Sequence, residues 1–150
     1  MDSVVITDLI KEYQGKRAVD GISFNIKKGE IFGFLGPNGA GKTSTINCMC
    51  QLANVTAGTI TINGFDTSKD YVNARRQIGL SPQDLPFDPF TSVFEMLVYQ
   101  GGYFGMRKKK AQERATALLT KFDLLDKKAA LFRQLSGGMK RKISIAKALM

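Results

Sequence analysis

Eight consecutive residues, Gly36-Pro37-Asn38-Gly39-Ala40-Gly41-Lys42-Thr43, follow the spacing G-x-x-x-x-G-K-[ST]. The chemistry this spacing serves is the holding of a polyphosphate. Side chains at 36, 39 and 41 would block it, whereas glycines let successive backbone N–H groups turn inward around a β-phosphate. Lys42 reaches the β- and γ-phosphates as a point charge, the Thr43 hydroxyl offers one ligand to Mg²⁺, and Ser44 adds a hydrogen bond to phosphate. Pro37, Asn38 and Ala40 complete the nucleotide-binding loop. The segment sits after an apolar run and before a helical pattern, so that the positive end of the helix faces the same oxygens.

The loop alone does not choose among GTPases, kinases, helicases and transport ATPases, which share this cradle. A second glycine-bearing segment narrows the choice. In Leu135-Ser136-Gly137-Gly138-Met139 two glycines at a helix start bare backbone N–H groups, and Ser136 can cap the helix or offer its hydroxyl to an anion. A serine before glycines is often only a cap. Together with the phosphate loop, however, the segment resembles the L-S-G-G signature of the ATP-binding cassette (ABC) ATPases. The resemblance implies that this surface meets the γ-phosphate of ATP held by a second nucleotide-binding domain, so that two chains sandwich two nucleotides. It also implies that Tyr13 stacks on adenine, packing as an edge-strand aromatic being the alternative. Gln83, after Leu80-Ser81-Pro82, resembles the Q-loop glutamine that touches Mg²⁺ and the attacking water.

By the same resemblance a short helix of a transmembrane permease docks near Gln83 to Phe94, with Phe87, Phe90 and Phe94 either contacting it or packing in the helical part. The span between Gln83 and Leu135 suits a compact helical subdomain, not the coiled coil of ABC-type DNA-repair ATPases. Met139 replaces the commoner glutamine, and Met139-Lys140-Arg141 with Gly33-Phe34-Leu35-Gly36 is most similar to ABC-2-type exporters of drugs, lipids or polysaccharides. The implied protein couples ATP binding and hydrolysis to export, as a peripheral subunit on the cytoplasmic face of a membrane. A soluble ABC ATPase acting on ribosomes or nucleic acid, and a truncated non-catalytic chain, are the alternatives. The family's Walker B strand, catalytic glutamate, D-loop and switch histidine follow the signature helix. These 150 residues hold no histidine, and no catalytic residue is assigned beyond Gln83, which positions water and metal. The expectation is weak nucleotide binding, negligible turnover and marginal stability.

These residues need elements to position them. Val4-Val5-Ile6 with Leu9-Ile10, and Ile22, Phe24 and Ile26, alternate as half-buried antiparallel strands do. Glu30 to Leu35 reads as a buried parallel strand, followed by a helix from Lys42 to Leu52. Thr59 to Ile62 is a strand closed by an Asn63-Gly64 turn, and Ile78-Gly79-Leu80 a buried strand. The prolines of Ser81 to Pro89 forbid regular structure. Val93, Met96 and Leu97, then Ala115, Leu118, Leu119 and Phe122, have the helical period, with helices beginning near Thr91. A last helix over Lys140–Met150 shows no stop signal, so the chain is expected to end inside an element. The fold class is α/β: a P-loop NTPase with a RecA-like core, an antiparallel β subdomain and a helical subdomain, the sheet incomplete at the C-terminus. The expected divisions are 1–83 for the β subdomain and phosphate-loop core, 84–138 for the helical subdomain, and 139–150 for the start of the return to the core.

Composition is compatible with this. An apolar share of 43% with 23% charged residues is that of a folded domain, and no unbroken apolar run is long enough to span a membrane. Nor does the N-terminus resemble a secretory signal, which leads to a cytoplasmic expectation. Cys48 and Cys50, two apart on the expected helix, point apart and read as reduced packing residues. The net charge of +9 is spread over several clusters, not one stripe, and reads as solvated surface with no nucleic-acid partner.

Overall fold

Two successive residues that accept positive φ, Gln14 at 49° and Gly15 at 77°, fold β1 (Asp2–Tyr13) back onto β2 (Lys16–Lys27) as an antiparallel hairpin. Asn63 (48°) and Gly64 (86°) do the same between β3 (Ala57–Ile62) and the short β4 (Phe65–Asp66). β3 pairs antiparallel with the other edge of β1, giving the order β2-β1-β3-β4. The computed structural model describes residues 2–83, 88 and 90–150, in two units, Met1–Ile78 and Gly79–Met150.

In the first unit the sheet and α1 (Lys42–Met49) bury Ile6, Leu9, Val19, Cys48, Ile60 and Ile62. The alternation expected at Ile22, Phe24 and Ile26 is present, each half-buried between exposed neighbours. β1 bulges at Asp8 (φ 48°), where Gly58 of β3 comes so close that an added Cβ would stand 2.3 Å from the Asp8 carbonyl oxygen. α1 stops three residues before the expected Leu52 because Gln51 turns left-handed (φ 56°) and the N–H of Leu52 returns to the Asn47 carbonyl. A five-residue helix, α2 (Tyr71–Arg75), follows β4. Before it, the N–H groups of Lys69 and Ser68 hold the Asp66 carboxyl below the usual carboxylate range.

Two expected strands do not form. Glu30 to Leu35 has no ladder partner among the described residues, and Ile31 is 100% and Leu35 93% exposed. A parallel strand is stable only between flanking strands. Here Phe32 and Phe34 instead gather on Phe24, the Phe24 and Phe32 rings stacked at 5.2 Å. Ile78-Gly79-Leu80 is likewise without a ladder, and Leu80 is exposed.

In the second unit three helices, α3 (Val93–Tyr103), α4 (Lys108–Lys121) and α5 (Gly137–Ala148), close around Leu97, Leu119, Leu124 and Ile143, with Ala111, Ala115 and Ala146 at the close approaches. α3 begins where its capping box dictates. Ser92 accepts from the Glu95 N–H at 3.3 Å, while the Glu95 carboxylate takes the Ser92 hydroxyl at 2.6 Å. α3 and α4 cross at Gly101, where a Cβ would lie 2.9 Å from that of Ala111. α5 starts at Gly137, the helix start expected after Ser136, and closes at Ala148, the Leu149 N–H returning to the Ile145 and Ala146 carbonyls, with Met150 buried in the helical core. Among the described residues no helix is long and apolar enough to cross a membrane.

The bulge predicts unequal costs for two glycines of similar φ. Gly58→Ala collides with the Asp8 carbonyl and is expected to lower unfolding free energy by about 3 kcal/mol. Gly64→Ala meets nothing within 4 Å, and its expected cost is about 1 kcal/mol, for the left-handed backbone alone. Urea unfolding of the two variants measures the difference.

Candidate functional site

The phosphate loop owes its shape to what lies beneath it. Gly41 is the N-cap of α1, at φ 83°, with no side-chain cap. A methyl there would stand 2.2 Å from the Ala18 carbonyl oxygen of β2. Glycine is thus required by the sheet below as well as by any ligand above, a constraint the motif alone does not reveal. The buried Thr45, which the motif does not include, fastens the helix to the loop, both its hydroxyl (3.0 Å) and its N–H (2.8 Å) donating to the Gly41 carbonyl.

Above this floor lie unused donors. Among the described residues the N–H groups of Gly39, Gly41, Lys42, Thr43 and Ser44 donate no hydrogen bond. No acidic residue occurs from Ile31 to Asn47. The Lys42 ammonium bends over the loop and donates to the carbonyls of Gly36 (2.6 Å) and Pro37 (2.7 Å). Pro37, Asn38, Gly39, Ala40 and Thr43 are exposed, and Ser44 is half-buried. This arrangement, several free N–H donors, one cation and one exposed hydroxyl without a carboxylate, suits an anion with many oxygens. Tyr13 is exposed at the end of β1, one ring face covered by the Lys11 ammonium at 4.4 Å.

The other sequence-predicted site residues belong to the second unit. Ser136 caps α5, its hydroxyl oxygen accepting the Met139 N–H at 3.3 Å. Gly137 and Gly138 are exposed, while Leu135 is buried and Met139 packs against the helical core. Gln83 is exposed, and the segment bearing it is tied to α5 in a way the sequence did not announce. The Ser81 and Ser144 hydroxyls meet at 2.7 Å, and the Arg141 guanidinium donates to the Pro82 carbonyl at 2.7 Å. One helix thus carries the signature at its start and anchors the stem of Gln83 along its length. The only sequence signal is the spacing of Arg141 and Ser144, i and i+3 on one face.

Of the expected docking stretch, Asp84 to Phe87 and Pro89 lie outside the described residues. Phe94 packs partly against the helical core, and Phe90 is exposed, 5.8 Å from the Arg133 guanidinium. The Thr91 hydroxyl and then the Phe90 N–H hold the Asp88 carboxyl below its usual range.

Elsewhere in the first unit a cleft of about 400 Å³ is lined by Cys48, Gln51, Tyr71 and Arg75 among others and shares no residue with the phosphate loop. Both thiols are free, and burial pushes both up, the Lys11 ammonium offsetting part of the effect at Cys48. Each is therefore a poorer nucleophile at neutral pH than a free thiol. Among the described residues no cluster of three or more His, Cys, Asp or Glu is placed to hold a metal.

The sequence profile described as ABC transporter matches residues 19–150. The linearmycin resistance ATP-binding protein LnrL of Bacillus subtilis (strain 168) is 40% identical over 140 residues, 93% of this chain and 45% of that protein. The Nod factor export ATP-binding protein I of Burkholderia orbicola (strain AU 1054) is 41% identical over 140 residues, 93% of this chain and 46% of its own length. Among solved structures, cbiO1 from Clostridium perfringens, part of the ABC transporter complex cbiONQ, matches with a TM-score of 0.86 at 25% identity, over 99% of this chain and 61% of its own. The fold is therefore that of a P-loop NTPase, and the chain spans about half the length of the curated relatives it matches.

The tie between Gln83's stem and α5 is open to measurement. Ser144→Ala leaves the Ser81 hydroxyl unpaired, and Arg141→Ala frees the Pro82 carbonyl. Each is expected to lower the free energy of urea unfolding by about 1 kcal/mol, and the loss of either is measured against the unsubstituted chain.

Proposed function

The chain belongs to the ABC transporter family, and from that premise we propose that it is part of the ATP-binding subunit of an exporter that couples ATP binding and hydrolysis to transport across a membrane. The observation that carries this reading is the set of free N–H donors from Gly39 to Ser44, beside the Lys42 ammonium and with no carboxylate in reach along the loop. The two curated relatives are named for linearmycin resistance and Nod factor export. From those names we take the reaction class alone.

Each residue then has a task. The backbone of Gly36, Gly39 and Gly41, with Pro37, Asn38 and Ala40 shaping the turn between them, surrounds the β-phosphate. Lys42 exchanges its two carbonyl partners for β- and γ-phosphate oxygens, a trade of neutral for charge-assisted bonds that favours the anion. Thr43 ligates Mg²⁺ and Ser44 adds a hydrogen bond to phosphate. Tyr13 stacks on adenine, which requires Lys11 to leave at least one ring face clear. Bound Mg²⁺·ATP supplies the scissile γ-phosphate and the charge that draws two domains together. Gln83 is the residue that would orient the attacking water and, with Thr43, hold Mg²⁺, which would supply charge to the developing phosphate oxygens.

Leu135 to Met139 form the second half of the site. Leu135 and Met139 are held in the helical core, which fixes the start of α5, so that Ser136, Gly137 and Gly138 face the γ-phosphate carried by a second nucleotide-binding domain. A transmembrane permease docks near Gln83 to Phe94 and holds the subunit at the cytoplasmic face of the membrane. The exposed Phe90 is the described aromatic best suited to meet it. The tie from α5 through Ser144 and Arg141 to the stem of Gln83 makes signature and Q-loop move as one body. Hydrolysis needs a general base and an acidic metal partner, roles we assign to none of these 150 residues.

Titration of the chain with a fluorescent ATP analogue and Mg²⁺ tests the core of this reading. Lys42→Ala removes the one cation of the loop and is expected to weaken binding about tenfold or more, at about 1.5–3 kcal/mol for a bond to a charged group. Equal affinity in the variant would contradict the proposed role.

A further inference from the structure

We propose that the corner between α3 and α4 is a contact surface for an anionic lipid bilayer. This inference does not depend on the nucleotide reading, since it uses none of the residues of that site. The corner is the nine-residue stretch from Gly102 to Lys110 in which an aromatic pair, Tyr103 and Phe104, is followed after two residues by four consecutive cations, Arg107, Lys108, Lys109 and Lys110. Tyr103 is 86% and Phe104 52% exposed, and all four cations are exposed.

Helix physics gives the first argument. The first turn of α4 contains no acidic residue, and its N-cap, Arg107, makes no side-chain capping bond. Lysines at the positive end of a helix dipole are unfavourable, where acids would stabilise. No internal contact offsets them. The salt bridges found among the described residues are Arg17–Asp20 and Lys127–Asp126, and neither involves the corner. Glu113, one turn on from Lys109 and Lys110, forms no ion pair with either, and Arg114 is committed to the Leu149 carbonyl at 2.7 Å. On α3, Glu95 is engaged by Ser92. A local rule broken without internal compensation points to an external anion.

Shape and composition say which anion. The tight crossing at Gly101 and Ala111, with a left-handed turn at Gly105 (φ 79°), makes the corner short, and every residue of it but the half-buried Met106 is exposed. A plane of headgroups can meet an exposed connection between two helices, whereas a nucleic-acid strand is bound in a long charged groove that tracks its backbone. Exposed aromatic side chains beside lysines and arginines are the mixture that seats at the boundary between headgroups and acyl chains, the rings entering and the cations pairing with phosphates.

The test is co-sedimentation of the 150-residue chain with phosphatidylcholine vesicles, with and without phosphatidylglycerol as a third of the lipid. Binding is expected only to the anionic vesicles, and to fall as salt rises from about 0.1 M to 1 M and the screening length shrinks from about 10 to 3 Å. Lys108→Glu/Lys109→Glu/Lys110→Glu is expected to lower partitioning on the order of 100-fold. Lys16→Glu/Lys27→Glu/Lys28→Glu, the same change in net charge on exposed residues of the other unit, lowers it less than fivefold. Tyr103→Ala/Phe104→Ala weakens binding about tenfold with the salt dependence unchanged. Absence of binding to anionic vesicles, equal binding to neutral ones, or equal losses in the two triple variants each overturns the proposal. So does tighter binding of a single-stranded DNA oligomer that the α4 triple variant abolishes, which would make the corner a nucleic-acid contact.

Discussion

A glycine with no room for a side chain and a row of amides with no partner meet at one point in this molecule. Gly41 lies against the Ala18 carbonyl of β2, and that contact sets where α1 begins and where the loop before it must turn. Buried amides left unpaired are costly, but these stand at the surface, where water satisfies them cheaply and an anion satisfies them better. The rest of the first unit serves this arrangement. The hairpin of β1 and β2 supplies the floor, Thr45 locks the helix to Gly41, and the sheet core from Ile6 to Ile62 keeps both in place.

The second unit uses the same device differently. Its signature glycines also stand at a helix start, but there Ser136 already takes one amide, and the helix is pinned by the burial of Leu135, Ile143 and Ala146. The consequence is a helix start fixed by burial and a cap, where the phosphate loop is fixed by a close approach to the sheet. Ser144 and Arg141 tie that helix to the stem of Gln83, so that two surfaces far apart in sequence share one support. The apolar run from Ile31 to Leu35 is the counterpoint. Its backbone makes no ladder among the described residues, and Phe24, Phe32 and Phe34 shelter one another around a shallow apolar cleft of about 170 Å³. That is what a strand built for two neighbours does without them.

Most of the antiparallel sheet and the helical unit was legible because each rests on a local period. Ile22, Phe24 and Ile26 alternate, Ala115, Leu118 and Leu119 recur as a helix demands, and Asn63-Gly64 marks its turn by chemistry alone. The phosphate loop was legible as a motif and the signature as a resemblance. What local pattern could not supply was pairing. Glu30 to Leu35 has the composition of a buried strand, but composition does not state whether neighbours exist, and the same error recurs at Ile78 to Leu80. The stop of α1 at Gln51 was missed because a non-glycine residue takes the left-handed turn. The Ser81–Ser144 and Arg141–Pro82 bonds join residues too distant in sequence for any period to reveal them.

The central claim is that the amides from Gly39 to Ser44 are the ones that receive a triphosphate, and amide chemical-shift mapping of the isotope-labelled chain with Mg²⁺·ATP tests it residue by residue. The account predicts that the signals of Gly39, Gly41, Lys42, Thr43 and Ser44 move most, while Gln51, Tyr71 and Arg75 around the neighbouring cleft stay put. Shifts concentrated in that cleft, with the loop amides unmoved at saturating nucleotide, would contradict it.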